Sequence, residues 1–170
     1  PKQPKQKGIL YTSSRLHVCL KTTLNRCCAM AQFEVVTELT PEQTKTLHAM
    51  YHKQWWAQSR TLAEVEHLLR HSFSVALVEP ATHSLVAYSR IVTDYLRFAH
   101  IFDVIVDEPF RGKNLGKRLM EAILTHPKLA SVAKFELKCL PELEPFYKKC
   151  GFVLPDSQFV TLIYNKNTSN

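Results

Sequence analysis

Apolar and polar positions along the chain change rhythm several times, and each change marks an element. FEVVTEL (33–39) reads as a short strand. TPEQ (40–43) opens a helix: Thr40 can cap it, Pro41 suits the first helical position and Gln43 can close a capping box. Leu47, Tyr51 and Trp55 then recur at helical spacing. Thr61 and Glu64 form a second possible box, followed by a stripe of Leu62, Val65, Leu68 and Leu69 up to about Arg70. Three β segments follow, FSVALVE (73–79), LVAYSRIVT (85–93) and HIFDVIV (100–106), and the turn PATHS (80–84) makes the first two a hairpin. A helix is predicted from Gly112 or Lys113 to about His126, with Leu115, Leu119, Ala122 and Ile123 on one face. KFELKCL (134–140) is a strand, LEPFYKKC (143–150) a helix and FVTLIYN (159–165) a last strand. Hairpins early and βαβ units late predict an α/β domain, a mixed sheet flanked by about four helices.

Length and charge narrow this picture. The 170 residues suit one domain with its own core. The longest apolar runs fall short of the roughly 20 residues of a membrane span, so no membrane partner is expected. The net charge of +7 is concentrated in residues 1–29, which hold Lys2, Lys5, Lys7, Arg15, Lys21 and Arg26 and no acid. Of the 22 basic and 15 acidic residues, the remainder keeps 16 and 15, so no nucleic-acid partner is expected either. The first methionine is Met30. The division expected is a basic leader over 1–29, with translation starting at Met30, and a single domain over 30–170. A basic organelle-targeting leader is the alternative. Cys139 and Cys150 have no metal-ligand spacing, so no metal and a reducing, cytoplasmic setting are expected.

The chemistry is concentrated in FRGKNLGKRLM (110–120), between the strand HIFDVIV and an amphipathic helix. The first amides of a helix lack intrahelical partners and sit at the positive end of its dipole. A glycine-containing loop entering such a helix can therefore hold an anion, above all a pyrophosphate. An ordinary turn with a solvated basic face reads the same way, and neither the Rossmann nor the P-loop pattern fits. RGKNLG does resemble the Q/R-x-x-G-x-G/A signature of the GNAT superfamily of acetyl-CoA-dependent N-acetyltransferases. Arg111 takes the Q/R position, Asn114 the first glycine and Gly116 the second, with Gly112 the frequent extra glycine. FYKKCGF (146–152) is similar to the family's second signature, an aromatic–Tyr pair followed by three residues and Gly-Phe. The resemblance covers roughly residues 32–164.

That resemblance implies a GNAT-like acyl-CoA N-acyltransferase fold with acetyl-CoA as cosubstrate. A bulge would splay HIFDVIV from the next parallel strand and leave Val104, Ile105 and Val106 to pair with the pantetheine arm. Backbone amides of Arg111, Gly112, Lys113, Asn114, Leu115, Gly116 and Lys117 would hold the pyrophosphate, with Arg111, Lys113, Lys117 and Arg118 adding positive field. Tyr147 would donate a proton to the departing thiolate, although its helical stripe (Leu143, Phe146, Tyr147, Cys150) also suits a core aromatic. Asp103, an acid interrupting an apolar strand, is the first candidate for the base, with His100 and Glu142 behind it; a buried acid paired to Arg90 is the structural alternative. Asn114 departs from the glycine pattern, and Leu140 stands where many members carry asparagine. In QWWAQSR (54–60) the two tryptophans point apart on a helix, so at least one is expected in the core. Trp56 with Arg60 and Arg90, or Tyr88, would line the acceptor pocket. Aromatics there suit an apolar or cationic amine and arginines one carrying a carboxylate. The implied reaction is acetyl transfer to a primary amine, small-molecule or peptide, by direct attack in a ternary complex. A noncatalytic CoA-binding module is the alternative, and a homodimer is an expectation because small members often dimerise.

Overall fold

Two threonines start the first two helices. In the computed structural model, which describes residues 33–155 and 162, the Gln43 N–H donates to Thr40 Oγ1 at 3.2 Å while the Thr40 N–H donates back to Gln43 Oε1 at 3.0 Å. Thr61 and Glu64 repeat the exchange at 3.3 and 2.7 Å. Each box satisfies two helix-end donors, and α1 runs over Pro41–His52 and α2 over Leu62–Arg70.

The strands β1 (Glu34–Val36), β2 (Phe73–Val78), β3 (Leu85–Thr93), β4 (Phe98–Val106) and β5 (Lys134–Leu137) form one sheet in chain order. Neighbours run antiparallel except β4 and β5, which are parallel. The crossover between them carries α3 (Leu115–Leu124), and α4 (Glu144–Lys149) follows β5. The mixed α/β sheet with four α-helices among the described residues is the architecture the periodicity predicts.

Both faces of the sheet are covered, which explains why all six residues of β2 are buried. Strand residues alternate faces. Ala76 and Val78 join Leu47, Met50, Tyr51 and Val65 under α1 and α2, while Val75 and Leu77 join Leu119, Met120 and Ile123 under α3. One strand thus belongs to two cores, and β4 shares the division: Ile105 packs toward α1, Ala99 and Ile101 toward α3.

Three boundaries depart from the sequence reading. Helix α1 ends at His52, before Trp55. The Gln54 side chain donates to the Met50 carbonyl at 3.2 Å, and the chain then steps through successive turns to Arg60. A side-chain donor on a last-turn carbonyl removes the need to continue the helix. Helix α3 starts at Leu115 rather than at Gly112 or Lys113, because Gly112 and Asn114 both have left-handed backbone, with φ of 75° and 62°. Strand β5 stops at Leu137, not Leu140. The expected strand over 159–165 and the leader over 1–29 lie outside the described residues.

Candidate functional site

Where β5 stops pairing, β4 bends away. On β3, Tyr88 pairs with Ile105 and Arg90 with Phe102, so Ser89 alone faces both Asp103 and Val104. Two residues opposing one is a β-bulge, which twists the strand and redirects side chains. Asp103 carries the irregularity, with φ of 55°. The last β4–β5 pair is Ile101 with Leu137, so from Phe102 to Val106 the outer edge of β4 is unpaired among the described residues. A cavity of about 410 Å³ opens at this wedge, and Trp55, Trp56, His100, Val104, Lys138 and Tyr147 are among its walls. Of the predicted strand residues, Val104 and Val106 are half-buried toward α3, whereas Ile105 is buried under α1.

Beyond β4 the chain turns through Glu108–Phe110 into the loop before α3. Arg111 is anchored to the strand it leaves, its Nε donating to the Val106 carbonyl at 3.2 Å. A Cβ at Gly112 would meet nothing within 4 Å, so this residue is a glycine for its backbone angle, not for space. Asn114 takes the same left-handed region without glycine, and its side chain makes no capping bond. The amides of Leu115, Gly116 and Lys117 at the head of α3 therefore have neither an intrahelical acceptor nor an Asn114 cap. The Leu115 side chain is buried in the core, so only its N–H can serve a ligand. Gly116 is required for a different reason: a Cβ there would lie 3.2 Å from the Phe146 ring and 3.9 Å from Val106. Its absence lets the helix start sit against both β4 and α4. Lys113 and Lys117 are exposed, with the Lys113 ammonium 5.0 Å from the centre of the Phe110 ring. Arg118 instead turns back, donating to the Phe33 carbonyl.

Tyr147 is only 8% exposed, yet among the described residues nothing bonds to its hydroxyl, and it lines the cavity. Its ring is fixed between Phe146 and Phe152, with centroids 4.9 and 6.2 Å away. Burial first, then the neighbouring Cys139 and Cys150, pushes the phenol up to about 12. The group is therefore held as an O–H donor at neutral pH. Tyr147 is thus a core residue that also reaches the cavity.

Asp103, Arg60, Arg90 and Trp56 come together, with Asp103 and Trp56 on the cavity wall and the two arginines off it. The carboxylate is 5% exposed. Its Oδ2 accepts from Arg90 Nε at 2.8 Å, from the Tyr51 hydroxyl at 2.9 Å and from Arg60 Nη1 at 3.2 Å, and Oδ1 accepts from Arg60 Nη2 at 3.4 Å. Such a buried charge is tolerable only because it is paired and hydrogen-bonded. The two arginines stand one layer behind the cavity. The Arg60 guanidinium lies 5.3 Å from the Trp56 ring and that of Arg90 4.7 Å from Phe102, and both rings face the opening. The expectation of one core tryptophan is corrected: Trp55 is 71% and Trp56 39% exposed, because both lie beyond the end of α1. Tyr88 is fully buried and shares a hydrogen bond with Ser74, so it does not line the pocket. Glu142 is exposed on Pro141–Leu143, outside the cavity wall.

His100 lies on the cavity wall, stacked on Phe102 at 4.3 Å. Burial lowers its pKa; Glu136 opposes this, and Lys138 and Arg90 reinforce it. Sequence reasoning did not single out Tyr51 beyond its place in a core stripe, nor Lys53, whose ammonium pairs with Asp107 at 3.0 Å. Nothing in the spacing of residues 51, 53, 103 and 107 marks them as partners.

This geometry has known counterparts. The family profile for acetyltransferase (GNAT) domains matches residues 35–161. A glucosamine 6-phosphate N-acetyltransferase of Arabidopsis thaliana is 39% identical over 71 residues, which are 42% of this chain and 48% of that protein. The chain spans about half or less of the length of the first curated relatives it matches. Among solved structures, a GNAT-family acetyltransferase from Xanthomonas campestris superposes with a TM-score of 0.65 at 28% identity, over 72% of this chain and 85% of that one. The Arabidopsis thaliana glucosamine-6-phosphate N-acetyltransferase structure gives 0.58 at 25% identity, over 78% and 99%. The chain belongs to the GNAT family of acetyltransferases.

Proposed function

We propose that this protein moves the acetyl group of acetyl-CoA to the primary amine of a small-molecule acceptor, by direct attack in a ternary complex. The observation that carries this reading is the splayed wedge between β4 and β5 with the Tyr147 hydroxyl on its wall. The residues present fit the cosubstrate. Unpaired edge groups of Val104 and Val106 would receive the pantetheine amides, and the left-handed Gly112 and Asn114 aim the free amides of Leu115–Lys117 toward one anion. When bound, acetyl-CoA supplies the activated acyl group.

This chain's residues then have three tasks. Tyr147, protonated at neutral pH, donates its proton to the leaving sulfur. We assign the proton of the attacking amine to His100 rather than Asp103. The imidazole is kept neutral and faces the cavity, whereas Asp103 is engaged by a phenol and two guanidinium groups. Trp55 and Trp56 wall the acceptor side. Three cations, Arg60, Arg90 and Lys138, stand against one carboxylate, Asp103, around that side, and Glu136 pairs with Lys134. This balance favours an amine that also bears an anionic group. Glucosamine 6-phosphate, the acceptor named for the similar Arabidopsis protein, is therefore the first amine to try.

Thiol release from acetyl-CoA across a panel of amines tests the proposal. Turnover with an anionic amino sugar and a roughly 100-fold lower kcat in Tyr147→Phe are expected, since a positioned acid contributes about that much. Binding of acetyl-CoA without turnover on any amine, peptides included, would favour a noncatalytic CoA-binding module instead.

A further inference from the structure

We propose that Asp103 is a positioning residue. It latches the loop between α1 and α2 onto the bulge of β4, so that the tryptophan wall of the cavity and the splayed strand move as one body. The inference rests on the reading of the wedge as the acetyl-CoA site.

The argument starts from the backbone. Asp103 has φ of 55°, a left-handed conformation uncommon for residues other than glycine, though aspartate and asparagine enter it more readily than most, and here the surroundings fix it. Here the enforcement comes from three directions: Tyr51 on α1, Arg60 at the end of the α1–α2 loop and Arg90 on β3. Arg60 is in turn held between two rings, 4.5 Å from the centre of Tyr51 and 5.3 Å from that of Trp56. A second tie exists. Lys53, at the start of the same loop, pairs with Asp107 just past the end of β4. Lys53 and Arg60 thus bracket the segment that carries both tryptophans, while Asp107 and Asp103 bracket Val104–Val106. Loop and unpaired strand are pinned together at both ends. A carboxylate that needed only to accept a proton would gain nothing from being bound by two guanidinium groups at the base of this wall. One that must hold that wall against a bulge needs them.

Trp55 and Trp56 are the only tryptophans in the chain, so a Trp55→Phe background makes Trp56 a single reporter. In that background Asp103→Asn keeps a side chain compatible with the left-handed backbone but discharges the latch, and Arg60→Gln breaks only one arm of it. The measurements are acrylamide quenching of Trp56 and acetyl-CoA affinity by calorimetry, on protein with unchanged far-UV circular dichroism. Asp103→Asn should about double the quenching constant and weaken acetyl-CoA roughly fivefold, a coupling of ordinary size between adjoining sites. Arg60→Gln should give the same directions at smaller size, and it serves alone if buried unpaired arginines keep Asp103→Asn from folding. Trp56 as well shielded in the variants as in the parent would overturn the latch, since a residue acting only as a base leaves Trp56 where it was. Doubled quenching with unaltered acetyl-CoA affinity would overturn the coupling to the wedge. A parent protein that binds no acetyl-CoA would instead overturn the reading of the site, and quenching would still decide the latch.

Discussion

The two ends of the splayed stretch of β4 are built in opposite ways. Past its C-terminal end, the stretch over residues 107–117 presents backbone: two left-handed residues, two glycines without a Cβ and a row of free amides. At its N-terminal end the bulge presents side chains, and the partners gathered on Asp103 lie 13, 43 and 52 residues away in sequence. The first arrangement suits a chemically constant ligand, because amides at a helix start bind any phosphate in that place. The second suits selection, since buried side-chain networks reject whatever leaves one of their members unpaired. One strand thus carries a backbone-built end and a side-chain-built end.

The largest test of this contrast is at the side-chain end. His100→Gln should lower kcat about 100-fold, the usual contribution of a positioned base, while leaving acetyl-CoA affinity within about twofold. Its sign with pH follows from the lowered pKa: the imidazole loses its proton below the usual value near 6.5, so the acid limb of kcat/KM should lie below about pH 6.5 and vanish in the variant. An acid limb that persists in His100→Gln would return the base role to another group and break the assignment.

A second test compares the two ends by alkaline titration. Burial raises the Tyr88 and Tyr147 phenols to about 12, and that of Tyr51 higher still. All three remain protonated in the fold after an unfolded tyrosine, at about 10, has ionised. Their contribution to stability is therefore complete below about pH 10 and is lost as pH climbs toward 12. The loss is about 1 kcal/mol for each phenol per unit of pH. Urea midpoints at pH 8 and 11 measure it. Tyr88→Phe should remove part of the slope, and an undiminished slope would mean that this buried phenol does not carry it. The amide loop carries no phenol, so acetyl-CoA binding should fail only when the sheet itself loosens.

The same contrast explains what was legible in the sequence. Capping boxes at Thr40 and Thr61, the strands and the amphipathic α3 follow from contacts a few residues apart, and all were readable. RGKNLG and FYKKCGF were readable as family signatures because each is a run of consecutive residues. The bulge on β4 was expected only through the family resemblance, for a buried strand with or without it carries the same alternation of valine and isoleucine. The Arg90–Asp103 pair was weighed as the structural alternative and is present, but Tyr51 and Arg60 were not joined to it, because no spacing encodes contact between residues 51, 60, 90 and 103. Trp55 and Trp56 were misplaced for a related reason. The helical rhythm of Leu47, Tyr51 and Trp55 continues past the point where Gln54 closes the helix end.

The smallest expected effect comes from the residue that breaks the family's glycine pattern, and it separates backbone from side chain most cleanly. Asn114 already occupies φ of 62° and ψ of 14°, where asparagine is among the best tolerated residues after glycine. Asn114→Gly should therefore change acetyl-CoA affinity by less than about twofold, with any gain in angle offset by greater freedom of the unbound loop. Asn114→Val asks the same backbone of a β-branched residue, which resists it by roughly 1–2 kcal/mol, so affinity should fall on the order of tenfold while kcat at saturation is kept. Calorimetry with acetyl-CoA reads both. Equal affinities in the two variants would mean that the loop does not need the left-handed turn, and the amides at the head of α3 would then be reached by some other path of the chain. A tenfold gap between valine and glycine, with asparagine beside glycine, would instead assign cofactor binding at this end of β4 to backbone angle alone.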